Sequence, residues 1–312
     1  MRFLRNPKFN FMTSRKIAFS VSGLFILISI LSLILHGGPA YSVDFRGGTF
    51  MEIRFEDKTN PEKLLNIDIG AVRKVFNEFG LGNAEIKHYG SMQEISARID
   101  VVEKTDELMH DITAKLSEAF PQYKVIEMRK ETVGPKVGKE LVGAAILAIL
   151  WSIIFILIYI MWRFELRFGV GAVVALVHDV VITIGVFSIL NREISIAIVA
   201  ALLTIVVYSL NDTIVVYDRI RENLKAMKKR SFDYPTIINQ SINETLSRTI
   251  ITSSTTLLVV LVLFFFGGEV IKDFAFALLC GIVVGTYSSV YVASPVLVEW
   301  EKRKRARMQN RK

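Results

Sequence analysis

Six stretches of about 20 mostly apolar residues constrain this chain more than any other feature. They lie at 17–35, 141–162, 168–190, 194–217, 248–266 and 274–298. A helix rises about 1.5 Å per residue, so each run is long enough to cross a hydrocarbon layer roughly 30 Å thick. Inside hydrocarbon every backbone N–H and C=O needs an internal partner, which makes these runs helices. Hydrophobic residues form 52% of the 312-residue chain, and the 22% that are charged gather between and beside the apolar runs. The net charge of +8 is therefore read as membrane topology, with lipid as the surroundings and no nucleic-acid partner.

Lysine and arginine set the expected orientation. Arg2, Arg5, Lys8, Arg15 and Lys16 precede the first run, and Arg163 and Arg167 follow the second. Arg219, Arg221, Lys225, Lys228, Lys229 and Arg230 follow the fourth, and Lys302, Arg303, Lys304, Arg305, Arg307, Arg311 and Lys312 follow the sixth. With six spans these four segments share one side, which the positive-inside rule makes the cytoplasm. The expectation is a cytoplasmic segment 1–16, a cytoplasmic loop 218–247 and a basic cytoplasmic tail 299–312. Gly38-Pro39-Ala40 resembles a cleavage site, but the first apolar run exceeds a signal peptide's core and reads as an uncleaved anchor.

Residues 36–140 are then extracytoplasmic. A strand is expected over 43–55, a helix over 61–79 and two strands at 84–89 and 94–101. A helix over 105–120 and a strand at 123–133 complete a β-α-β-β-α-β order, the ferredoxin-like arrangement. The fold class is thus a polytopic α-helical membrane protein with one α+β ferredoxin-like domain. Cys280 stands alone, which excludes a disulfide framework and a cysteine-based metal site. His36, His88, His110 and His178 show no metal-ligand spacing.

The candidate chemistry lies in the spans. Asp212 has apolar sequence on both sides and sits about 9 Å inside Asp218 along a helix. A carboxylate there is costly unless paired, hydrated or used; the bland alternative is a helix-end aspartate reaching interfacial water. Arg248 opens the fifth span, and Thr252, Thr255 and Thr256 fall on its face. That stripe reads as facing a helix or a wet cavity, the alternatives being a snorkelling arginine or a pair with Glu244. Asp212 and Arg248 share a depth, so a proton-loading carboxylate beside a guanidinium is the sharper reading. His178-Asp179 in the third span is a second polar pair, read as a structural hydrogen bond. Gly281, Gly285, Ser288, Ser289 and Ala293 form a small-residue packing ridge.

Four segments carry a family resemblance. They are Val43-Asp44-Phe45-Arg46-Gly47-Gly48-Thr49, Val133-Gly134-Pro135-Lys136-Val137-Gly138, the run from Tyr208 through Asn211, Asp212 and Asp218 to Asn223, and the run from Glu244 through Arg248 to Ser253. Together they resemble the SecF family, membrane subunits of the bacterial SecDF protein-export complex. The resemblance implies an RND-like membrane bundle, partnership with SecD and the SecYEG channel, and unfolded exported proteins as substrates. It implies no enzymatic activity and no cofactor, with protons as the coupling ion and Asp212 and Arg248 in their path; Asn211 lies next to that aspartate. Asp44, Gly47, Gly48, Gly134 and Pro135 are read as structural, the glycines giving a sharp backbone turn and Gly134-Pro135 directing entry into the second span. Two other functions compete: a passive assembly subunit, and an intramembrane aspartyl protease using Asp179 and Asp212, which lacks the expected Gly-x-Gly-Asp context.

Overall fold

The structure, a computed structural model, describes residues 7–61, 63–226 and 233–309. Arg2, Arg5, Lys228, Lys229, Arg230, Arg311 and Lys312, named above as topology markers, lie outside the described residues. Helix α1 (Arg15–Leu35) leads to a short α2 (Val43–Arg46), β1 (Gly48–Asp57), α3 (Ile69–Glu78), β2 (Glu85–Tyr89), β3 (Ser91–Ile99), α4 (Thr105–Ala119) and β4 (Tyr123–Val133). Then come α5 (Pro135–Arg163), α6 (Leu166–Ile189), α7 (Ile196–Ala226), α8 (Tyr234–Phe266) and α9 (Glu269–Ser288). A five-residue π turn (Ser289–Ala293) joins α9 to α10 (Ser294–Gln309). The chain divides into two compact units, Tyr41–Ile146 and Met1–Ala40 with Leu147–Lys312.

In the smaller unit the four strands form an antiparallel sheet ordered β2-β3-β1-β4, the ferredoxin-like topology. Met51, Ile53 and Phe55 alternate inward along β1 and meet Val72 and Phe76 of α3 and Met109, Ile112 and Leu116 of α4. Each such side chain, fully buried, contributes about 1.5–3 kcal/mol, which is why period two and period 3.6 locate this core.

Two elements differ from expectation. The segment over 43–55 is not one strand: Ser42 caps a helical turn by accepting the Asp44 N–H, and the strand starts at Gly48. The helix expected over 61–79 begins only at Ile69, because Asp68 caps it by accepting the Gly70 N–H at 2.8 Å. Residues 64–68 form no helix, with Leu65 and Ile67 buried and the Ile67 N–H donating to the Met92 carbonyl.

The glycine joint has a steric reason. Gly47 and Gly48 have φ of +81° and +108°. A Cβ on Gly48 would come 2.5 Å from the Ile99 carbonyl oxygen, and one on Gly47 would come 2.8 Å from Pro135 Cα. A Cβ on Gly138, in the first turns of α5, would come 2.6 Å from the Phe45 carbonyl oxygen. The two glycine-containing motifs are therefore one packed junction.

Among the described residues, six helices are long and apolar enough to cross a membrane. The helices overrun the apolar stretches. α7 continues to Ala226, and α8 begins at Tyr234 rather than 248. Asp233 caps α8 by accepting the Thr236 N–H at 3.3 Å and its hydroxyl at 2.8 Å, with Pro235 in the first turn. Hydropathy marks where a helix meets apolar surroundings, whereas capping marks where it ends. Close packing relies on small residues. Gly185 of α6 leaves room for Ser29 of α1, where a Cβ would collide, and Ser32 and Ser188 bond across the same pair at 2.8 Å. Gly281 and Gly285 of α9 accommodate Ile205 and Ser209 of α7.

Two predictions follow from this packing. Gly48→Ala forces a positive φ on alanine and a contact with Ile99, at a cost of roughly 1–3 kcal/mol; faster amide exchange along β1 and β3 measures it. Asp57 is held below the ordinary carboxylate range by the Thr59 hydroxyl and N–H and by Lys63, against a smaller opposing effect of burial. Such a group stabilises the fold above its unfolded pKa of about 3.9, and the contribution fades as pH falls through the depressed folded value. Asp57→Asn should therefore speed exchange at the Lys58 and Tyr123 amides at pH 7, and the difference from the parent should narrow below about pH 4.

Candidate functional site

Asp212 is buried in the helix bundle, 4% exposed, midway along α7. Among the described residues its carboxylate accepts one hydrogen bond, from Ser253 Oγ of α8 at 3.3 Å. Ser253 is in turn 2.8 Å from Thr286 Oγ1 of α9, and Thr286 donates to the Ile282 carbonyl. Three helices thus converge on this carboxyl group through a short hydroxyl chain. Asn211, its neighbour in sequence, points to the exposed side of α7.

Arg248 lies on α8 one turn from Thr252, but it makes no hydrogen bond or ion pair with Asp212 among the described residues. It is exposed and lines a cleft of about 1050 Å³ with Lys8, Arg219, Gln240, Glu244 and Thr252. Glu244 is occupied elsewhere: it takes Arg219 Nε at 2.6 Å, Asn223 at 2.8 Å and Gln240 at 2.8 Å. Among the described residues no Glu244–Arg248 ion pair is formed. One wall of the cleft is the segment before α1, where Asn239 and Asn243 hold the Phe9 carbonyl at 3.0 and 2.8 Å.

The threonine stripe turns away from Asp212. Thr255 is exposed, Thr252 and Thr256 are half-buried, and all three hydroxyls bond back to carbonyls one turn earlier on α8. The face of α8 that enters the bundle carries Thr245, Thr249 and Ser253 instead. Sequence reasoning missed Ser253 because hydroxyl residues occur on every face of this helix. Its spacing of four from Thr249 was the available signal.

Asp179 and His178 lie together on α6, 0% and 2% exposed. Asp179 Oδ2 accepts Ser209 Oγ of α7 at 2.5 Å and Ser288 Oγ of α9 at 2.8 Å. Its Oδ1 is 2.8 Å from His178 Nδ1. Ala172 and Ala175 share that buried face, and the Thr183 hydroxyl donates to the Asp179 carbonyl. Ser288, read from sequence as part of a packing ridge, is also a hydrogen-bond donor to this carboxylate.

Of the remaining candidates, Asp44 closes the α2 cap, with Ser42 Oγ on its carboxylate at 3.1 Å. Gly134 and Pro135 end β4 and begin α5, and the Gly138 N–H returns to the Gly134 carbonyl. Among the described residues no cluster of three or more His, Cys, Asp or Glu is arranged to hold a metal.

A bundle of apolar helices, a small antiparallel α+β domain and carboxylates buried inside the membrane helices define a polytopic membrane protein of RND-like class. Residues 111–303 match the family described as protein export membrane protein SecD/SecF, C-terminal. The chain is 45% identical over 287 residues to the protein translocase subunit SecF of Calditerrivibrio nitroreducens, covering 91% of each chain. It is 47% identical over 294 residues to that of Vibrio alginolyticus, covering 93% of this chain and 89% of the other. Among solved structures it resembles SecDF of Thermus thermophilus, described as a translocon-associated membrane protein, with 39% identity and a TM-score of 0.82 over 95% of this chain. A SecDF structure in a super-membrane-facing form gives 38% identity and a TM-score of 0.70. The chain spans only 39% and 41% of those two solved chains. It belongs to the SecF family of protein translocase subunits.

The buried donors around Asp179 carry a prediction. Ser209→Ala or Ser288→Ala removes one charge-assisted hydrogen bond from a fully buried carboxylate and should destabilise the bundle by about 1–3 kcal/mol. Thermal unfolding of the detergent-solubilised chain, followed by tryptophan fluorescence, measures the loss.

Proposed function

We propose that this chain assists the later stages of protein translocation across the bacterial cytoplasmic membrane, acting with SecD beside the SecYEG channel and drawing on the proton-motive force. The observation that carries the coupling is Asp212, buried at 4% exposure yet bonded to a single serine hydroxyl. The other buried carboxylate of the bundle, Asp179, is held more fully, by two serine hydroxyls on one oxygen and the His178 ring on the other. A sparsely held carboxyl group in an apolar bundle is suited to gaining and losing a proton as water reaches it. One proton crossing 100 mV releases about 2.3 kcal/mol, enough to bias a conformational change when repeated. Arg248, in the neighbouring cleft, supplies a fixed positive charge near the end of such a path.

In this reading both termini lie in the cytoplasm, as the lysine and arginine distribution supports, and the ferredoxin-like unit lies outside it. Unfolded exported proteins are the substrates, and no cofactor is involved beyond the proton. The glycine-rich junction of Gly47, Gly48 and Gly138 suits a joint through which domain movement is passed to α5. The chain acts here as a translocation subunit and not as an enzyme.

Asp212→Asn keeps the side-chain volume and removes the titratable group. Membrane vesicles carrying this variant with its partners should lose export driven by a proton gradient at least tenfold, while the complex still assembles. Undiminished gradient-driven export would leave the chain a passive assembly subunit.

A further inference from the structure

Besides Asp212, the bundle holds a second ionisable couple, and its geometry does not fit a purely structural role. The Asp179 carboxylate is complete: two serine hydroxyls reach Oδ2 and the His178 ring reaches Oδ1. His178 is not complete. Its Nε2 is buried and has no hydrogen-bond partner. Two proton placements satisfy the Nδ1–Oδ1 contact, and both leave Nε2 open. With the proton on Nδ1, Nε2 is a bare lone pair; with the proton on Oδ1, Nε2 carries an unpaired N–H. A buried polar atom left without a partner is rare in a native structure and calls for a reason beyond packing.

Every element packed around the couple is accounted for. Tyr287 of α9 stacks on the His178 ring, centroids 6.1 Å apart, and Tyr291 of the π turn stacks on Tyr287. The Tyr287 hydroxyl is engaged by the Ala18 carbonyl and Ser22 of α1. α7 presents Ser209 and, three residues along, Asp212. α10 meets α6 at the other end, where Glu301 pairs with Arg167 at 3.4 Å. Among the described residues no lysine or arginine bonds to Asp179, so the only cation able to balance it locally is His178 itself.

We propose that His178 and Asp179 form a second proton-binding site of the bundle, which accepts one proton at Nε2 and thereby relaxes the hydroxyl clamp on α7 and α9. Starting from the placement with the proton on Nδ1, whose net charge is −1, an O–H bond of hydronium breaks as an N–H bond forms at Nε2, a water molecule is released, and the couple becomes a neutral imidazolium–carboxylate pair. Ser209 and Ser288 then face a carboxylate neutralised by an imidazolium, and their hold on it weakens. Ser209 shares α7 with Asp212, and Ser288 leads directly into the π turn, an element common at functional sites in helices. A charge change at one couple is thus passed to two helices. The use of this site in export rests on the proton-coupling reading above, but its chemistry does not.

The experiment is nitrogen NMR on the full-length chain in lipid nanodiscs, with histidine labelled at both ring nitrogens. Four histidines are present, and His36→Gln, His88→Gln and His110→Gln variants isolate the His178 signals. The expected result is that His178 Nε2 passes from unprotonated to protonated as the sample is acidified. In Asp179→Asn the transition should be displaced by at least tenfold in proton concentration, and in Asp212→Asn it should stay in place. If Asp179→Asn does not fold, Ser288→Ala carries the same comparison, with a displacement of at least twofold. An Nε2 that keeps one protonation state throughout the acidification, or a transition indifferent to Asp179 and Ser288, overturns the proposal. A silent Asp212→Asn in the export assay would overturn the proposed function alone and would leave this titration standing.

Discussion

An apolar interior tolerates no polar group without a partner, and most of this molecule follows from that constraint. It makes the spans helical. It sends the hydroxyls of Thr252, Thr255 and Thr256 back to carbonyls of their own helix. It gathers three hydrogen-bond partners around Asp179, drawn from α6, α7 and α9, so the third, fourth and sixth spans are tied at one buried point. The constraint is met sparingly at Asp212, which among the described residues has one hydrogen-bond donor, and at His178 Nε2, which has no partner.

Polar groups reach each other only if the helices approach closely. Leu and Ile on both partners would hold two backbones too far apart for a serine to cross. Gly285 opposite Ser209 removes that separation, and this is what lets Ser209 of α7 and Ser288 of α9 meet the same carboxylate. The packing ridge and the buried polar cluster are therefore one device. The same logic operates in the small unit, where Gly47, Gly48 and Gly138 let three backbone segments touch.

Much of the fold was legible because its signals are long. A run of 20 apolar residues, or Met51, Ile53 and Phe55 alternating along a strand, repeats its message many times over. The misreadings came where a single side chain decides. Ser42 turned the start of an expected strand into a helical turn, Asp68 delayed a helix by about two turns, and Asp233 started α8 well before its apolar run. At the buried sites, Asp212 and Asp179 stood out as carboxylates in apolar sequence. Ser253 and Thr286 did not, since an isolated hydroxyl in a membrane helix most often bonds its own backbone.

The sequence by itself determined the number of spans, the order of strands and helices along the small domain and the two carboxylates, because each depends on composition or periodicity along one segment, while four motifs carried the resemblance to the family. Only the tertiary structure decided that Asp212 is held by Ser253 rather than by Arg248, that Glu244 serves Arg219, and that His178 keeps an open nitrogen. Those outcomes depend on how far each helix is rotated and advanced against its neighbours. That is set by side chains distant in the chain, which no local pattern records.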